Sequence, residues 1–180
     1  MPPSVLVPLA EGFEEIEAVT PIDLLRRAGA EVTIAALTDE LLVTGRNGIT
    51  IRADVSLGSV ADETYDCLLI PGGPGVRHLR ADLRVRACVL SHASRDSWIG
   101  AICAAPTVLL DAGLLTGRRY TAHPSVAAEL PQIDPTQRVI VDGRLITSRG
   151  AGTALDFALV LVEKLFSLDK SAEIARSICT

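Results

Sequence analysis

Four short apolar runs punctuate this chain, at Ser4–Leu9, residues 31–37, Cys67–Ile70 and Trp98–Ile102, and longer amphipathic or turn-rich stretches separate them. Runs this short and this apolar read as strands covered on both faces. A parallel sheet between two layers of helices provides that cover. Aromatic residues make up only 3% of the chain although 48% is hydrophobic, so the core is assembled from Ala, Val, Leu and Ile, which suits such a sheet. At 180 residues the chain fits a single domain, 1–180, around one core.

The intervening segments carry helix and turn signals. Residues 14–28 place Ile16, Val19, Ile22, Leu24 and Leu25 at near-helical spacing, and Gly29 follows as a helix stop. Pro21 lies inside that stretch, so the helix either kinks there or begins near Thr20–Pro21. Gly45, Asn47 and Gly48 turn a hairpin within 41–57, on a sheet edge or flank. Asp82 caps a helix over 82–94, and a helix over 104–112 stops at Gly113. Asp142-Gly143 turns a second hairpin, 138–141 with 144–147, and helices over 153–166 and 169–179 complete the chain.

The net charge of −5 is spread without a basic stripe, and with so few aromatics to stack on bases, sequence-specific nucleic-acid binding is not expected. No apolar run reaches the roughly 18 residues that span a bilayer, and the N-terminal apolar stretch lacks a basic flank and breaks at Pro8. A cytoplasmic protein is the expectation. The four cysteines, Cys67, Cys88, Cys103 and Cys179, contain no Cys-x-x-Cys spacing and read as free thiols. No group of Cys, His and carboxylates has zinc-site spacing, so no metal and no other cofactor is expected.

Three segments fall beyond the carboxyl ends of strands, where open parallel sheets bind ligands. Cys103, in Gly-Ala-Ile-Cys-Ala-Ala-Pro, sits at a strand-to-helix junction among small residues, the setting of a nucleophile elbow. A helix start there would favour a thiolate; the alternative is an inert buried thiol. Gly72-Gly73 after the third apolar run either aim amides at an oxyanion or make a tight turn. The carboxylates of Glu11, Glu14, Glu15 and Glu17 open the first helix. Such charges are normally solvated, but Glu17, flanked by Ile16, Ala18 and Val19, turns toward the sheet edge, where burial keeps its proton. His123 lies in a strand-end loop, either as a loop hydrogen-bonder or as a base for Cys103. His78 and His92 fall on helices and read as solvated.

Taken in order, Glu-Gly-Phe-Glu-Glu-Ile-Glu17, Ile-Pro-Gly-Gly, Ala-Ile-Cys103-Ala-Ala-Pro-Thr, Thr-Ala-His123-Pro and Leu-Ile-Thr-Ser-Arg-Gly-Ala-Gly-Thr resemble the ThiJ/PfpI superfamily, in the branch of the parkinsonism-associated deglycase and its bacterial YajL-type relatives. The resemblance covers about residues 5–178. It implies a flavodoxin-like three-layer α/β sandwich with a mostly parallel central sheet, and a homodimer. It implies Cys103 as nucleophile, Glu17 as the protonated carboxyl beside it and His123 as the histidine near the sulfur. Gly72, Gly73 and Ala104 are implied as the backbone amides of an oxyanion site. Positive charge near the pocket is implied from Arg46, and from Arg27 of the second subunit. A short segment 111–119 and an early end to the chain depart from the animal members, which bears on how the pocket is covered.

The activity implied is cofactor-independent, cysteine-dependent handling of methylglyoxal, glyoxal or early glycation adducts, protecting against carbonyl and oxidative stress. The rival is a redox-sensing, chaperone-like protein working through oxidation of Cys103. A cysteine peptidase is the less favoured third, because Ala104 stands where the peptidase-like branch has histidine.

Overall fold

The computed structural model describes residues 1–180. A seven-stranded sheet forms its centre. In chain order the strands are β1 (Ser4–Leu9), β2 (Glu31–Ala36), β3 (Leu42–Thr44), β4 (Thr50–Arg52), β5 (Val55–Ser56), β6 (Cys67–Ile70), β7 (Trp98–Ile102), β8 (Val139–Asp142) and β9 (Leu145–Ser148). The spatial order is β5-β2-β1-β6-β7-β9-β8, while β3 and β4 form a separate antiparallel hairpin. Every pair in the large sheet is parallel except β8 with β9, which the Asp142-Gly143 turn folds back at one edge. The chain order reverses between β1 and β6. That switch point opens a crevice at the carboxyl edge, as in other doubly wound sheets.

Helices α1 (Glu15–Ala28), α6 (Ala154–Leu165) and α7 (Leu168–Ser177) cover one face, while α2 (Leu57–Val60), α3 (Val76–Ala81), α4 (Leu83–Ser94) and α5 (Pro106–Asp111) cover the other. The pleat divides each strand between the two layers. Val5, Val7 and Leu9 of β1 join the first core and Leu6 the second; on β6, Cys67 and Leu69 join the first while Leu68 and Ile70 join the second. The expected three-layer α/β sandwich is the observed one. No helix is long and apolar enough to cross a membrane.

Several local expectations change. Helix α1 starts at Glu15 under a Glu14 cap and runs past Pro21, at the cost of the amide that would have bonded the Glu17 carbonyl. Ile16 and Val19, expected on its buried stripe, are 53% and 44% exposed, while the charged Glu14, Glu15 and Glu17 are buried. The reason is the loop contact at the helix start: Glu15 accepts from the Asn47 backbone and side-chain amides at 2.7 and 2.9 Å, which ties the β3–β4 hairpin to α1. His92, expected in solvent, is 4% exposed, with Nδ1 2.7 Å from the Cys88 carbonyl and Nε2 unpartnered. Helix α5 begins at Pro106 rather than Ala104, so Cys103 stands in the turn before it.

Candidate active site

The carboxyl ends of β1, β6 and β7 each run into a loop that supplies one part of the site. Glu14–Glu17 follow β1, Gly72–Gly75 follow β6, and Cys103 follows β7 directly. The first two loops are zipped together. The Glu14 amide donates to the Gly72 carbonyl at 3.0 Å, and the Gly75 amide to the Gly12 carbonyl at 2.9 Å. Backbones this close leave no space for side chains. A β-carbon on Gly72 would strike Glu17 Oε2 and stand 2.6 Å from the Cys103 β-carbon, and one on Gly73, where φ is +93°, would stand 2.6 Å from the Glu14 nitrogen.

Cys103 itself has φ +66°, in the left-handed region that a residue with a side chain occupies at a cost of about 1–3 kcal/mol. Its backbone is held from both sides. The Cys103 amide donates to the Ser148 carbonyl at 2.9 Å, and the His123 amide donates to the Cys103 carbonyl at 2.9 Å. β9 and the 120–123 segment thus clamp the elbow and carry the strain. The side chain is half-buried and opens onto a cavity of about 350 Å³, lined by Glu14, Glu17, Arg46, His123 and Ser125 among others.

Glu17 is 1% exposed, and its Oε2 has no hydrogen-bond partner. Burial pushes its carboxyl up to about 7; the Glu14 charge adds to the rise, while Cys103 and the Gly72 and Ala151 amides oppose it. The group keeps its proton to near neutrality. The Cys103 thiol departs from expectation. Burial first, then the charge and hydrogen bonding of Glu17, push it up to about 12, against the Gly73 and Ala104 amides that favour the thiolate. A free thiolate beside an ionised Glu17 is therefore disfavoured. The two groups share one negative charge, and the sulfur can carry it only while Glu17 holds the proton.

The Gly73 and Ala104 amides favour the anionic sulfur, whereas the Gly72 amide favours the anionic form of Glu17. Arg46 reaches the cavity because its amide bonds the Phe13 carbonyl at 2.8 Å. Arg27 does not. It lies in the last turn of α1, ten residues or about 15 Å along the helix from Glu17, paired with Asp23 at 2.9 Å. Glu14, which the sequence reading left among the solvated charges, accepts the Glu17 amide at 2.8 Å and lines the cavity, as does Ser125 beside His123, which went unread in the sequence. Glu14 carried a signal, since an acidic residue three positions before Glu17 at a helix start is a capping position. Ser125 carried only its place after His-Pro.

Comparison with known proteins agrees with this architecture. The DJ-1/PfpI family profile matches residues 3–164. The chain is 40% identical to protein DJ-1 homolog B of Arabidopsis thaliana over 97% of its own length, although it spans only 41% of that relative. It is 35% identical to the glutathione-independent glyoxalase DJR-1.2 of Caenorhabditis elegans, over 94% of this chain and 91% of that one. The Drosophila melanogaster DJ-1beta crystal structure superposes with a TM-score of 0.95 at 38% identity, covering 100% of this chain and 99% of that one. This chain belongs to the DJ-1/PfpI family.

Proposed function

We propose that the chain is a cofactor-independent glyoxalase that converts methylglyoxal or glyoxal to the corresponding hydroxy acid through Cys103. The observation that carries this reading is Glu17 Oε2, a buried oxygen without a partner beside a sulfur held on a strained elbow. As a protonated acid it is a donor that lacks only an anionic sulfur or oxyanion to bond. The thiol sulfur adds to the aldehyde carbon C1, and the thiol proton ends on the C1 oxygen of a hemithioacetal. The Gly73 and Ala104 amides stabilise the oxyanion that develops on the way. A proton then moves from C1 to C2 through an enediolate, with Glu17 and His123 as the two candidate carriers. The product is a thioester, and water releases lactate from methylglyoxal or glycolate from glyoxal. The relative named as a glutathione-independent glyoxalase supports this kind of activity. Removal of early glycation adducts would use the same sulfur.

The test is purified protein given methylglyoxal without glutathione, with product followed by NMR. Lactate formed over many turnovers, and lost in Cys103→Ala, is the expected result. Stoichiometric adduct without lactate would favour the second reading, a redox sensor in which Cys103 is oxidised to a sulfinate bonded by the Glu17 proton. The Toxoplasma gondii relative, solved in a form named oxidized, supports that alternative.

A homodimer belongs to the same proposal. Ile16 and Val19 leave one face of α1 apolar and exposed, and a second copy on that face is the route by which Arg27 approaches a cavity. Sedimentation of the wild type against Val19→Glu tests it, with a monomeric wild type removing Arg27 from the site.

A further inference from the structure

The proton carrier is left open above, and the turn that follows Cys103's clamp bears on it. His123 is extended, with φ −69° and ψ 140°, and Pro124–Val126 form one turn of 3-10 helix behind it. The Ser125 amide therefore points back at the His123 side chain and donates to Nδ1 at 3.1 Å. The Ser125 hydroxyl oxygen stands 2.8 Å from the same nitrogen. A ring nitrogen that accepts from a backbone amide must keep its lone pair, so the ring proton is on Nε2. The ring lines the cavity. Cδ2, the carbon bonded to Nε2, lies 3.4 Å from the place a β-carbon on Gly150 would occupy, and Glu17 Oε1 lies 3.7 Å from that same place.

We propose that Ser125 is a positioning residue of this site: its amide and hydroxyl hold His123 with Nε2–H toward the cavity, so His123 serves as a hydrogen-bond donor and Glu17 is the group that carries the proton. This rests on the reading of a carbonyl substrate bound to Cys103. As the sulfur adds, the thiol proton reaches the C1 oxygen through Glu17, and the carboxylate this leaves then takes the C1 proton. The C1–H electron pair forms the C1–C2 double bond, and the C2 carbonyl electrons move onto its oxygen. That enediolate oxygen receives the His123 Nε2–H bond. Glu17 returns its proton to C2, and the hydroxyl proton on the C1 oxygen passes to the C2 oxygen, leaving the thioester carbonyl. No oxidant, reductant or further reactant is required. Ser125 touches no reacting atom; it acts through the imidazole.

The measurement is long-range proton–nitrogen NMR of the His123 ring in the full chain, alongside kinetics with methylglyoxal. The wild type should show the Nε2–H tautomer. Ser125→Ala keeps the amide but loses the hydroxyl, so Nε2–H should remain the major tautomer with a measurable rise in Nδ1–H, and kcat should fall roughly three- to tenfold with KM unchanged, the scale of one neutral hydrogen bond. Ser125→Thr, which keeps the hydroxyl, should retain the tautomer and come within about threefold of wild-type kcat. A wild-type Nδ1–H tautomer overturns the inference, as does a tautomer population unmoved in Ser125→Ala. A tautomer that shifts while kcat stays at its wild-type value also overturns it. A wild type that makes no lactate sinks the glyoxalase reading and the donor role with it, whereas the tautomer pair separately decides whether Ser125 orients the ring.

Discussion

Cys67 on β6 and Cys103 just beyond the neighbouring β7 are pushed the same way by burial, although Cys67 is fully buried and Cys103 only half-buried. Burial pushes each thiol up to about 12, and both pack against the core on the α1–α6 side of the sheet. Cys67 opens β6 at the amino edge, in regular pairing with Val5 and Trp98. Cys103 follows the last residue of β7 at the carboxyl edge, at positive φ, among polar groups delivered by three loops. The contrast teaches that desolvation alone makes a thiol inert. Chemistry requires that the lost water be replaced by aimed amides and by an acid that gives up or keeps a proton on demand.

The largest effect should separate these two cysteines. Cys103→Ala should lower methylglyoxal turnover at least about a thousandfold, the scale for losing a nucleophile, with the circular dichroism of the fold retained. Cys67→Ala should leave turnover intact and cost about 1–2 kcal/mol in urea unfolding as a small cavity. Equal activity losses in the two variants would erase the contrast.

Next comes the backbone that presses on the site. Gly72→Ala drives a methyl into Glu17 Oε2 and the Cys103 β-carbon. It should cost about 1–3 kcal/mol by the overpacking rule and slow alkylation of Cys103 by iodoacetamide. Gly152→Ala, where φ is not positive and nothing lies within 4 Å of the added carbon, controls for replacing a glycine without the close contact. If Gly72→Ala alkylates at the wild-type rate, the close packing does not govern the sulfur.

Stability against pH sharpens the comparison further, because Glu17 and the buried His92 on α4 respond in opposite directions. Glu17 holds its proton in the native state to about 7 but releases it from the unfolded chain near 4.5. Stability therefore falls as pH rises between those values, by up to about 3 kcal/mol, and Glu17→Gln should remove that fall. Burial lowers the His92 pKa, with Arg95 adding to the effect and the Cys88 carbonyl opposing it. Its native neutrality is a stabilising condition present above the ordinary histidine range and lost as pH drops below about 6.5. His92→Gln should flatten that acid limb, a smaller effect bounded by about 1.4 kcal/mol per pH unit for one proton. Thermal melts from pH 4 to 9 read both. A Glu17→Gln profile parallel to wild type would show that Glu17 is ordinary.

The elbow was legible in the sequence because it is local: an apolar run, small residues and a proline within ten positions dictate strand, turn and helix. The two glycines after β6 and the hairpin at Asp142-Gly143 were legible for the same reason. Glu17 was half legible, since its apolar neighbours suggested an inward turn without saying what it would meet. The burial of Glu14, Glu15 and His92 was not legible, nor was the exposure of Ile16 and Val19. Those depend on which loop lies over which helix, and hydrophobic spacing along one helix carries no record of Asn47 or the Cys88 carbonyl.

By itself the sequence determined most of the strand and helix segments, though not the short α2 and α3, together with the aliphatic core and the position of one cysteine at a strand end, because each follows from residues within a turn or two of one another. Tertiary structure alone decided the burial of Glu17, the direction of the Cys103 shift and the orientation of His123. Each of these is set by loops that meet only where β1, β6, β7 and β9 end side by side.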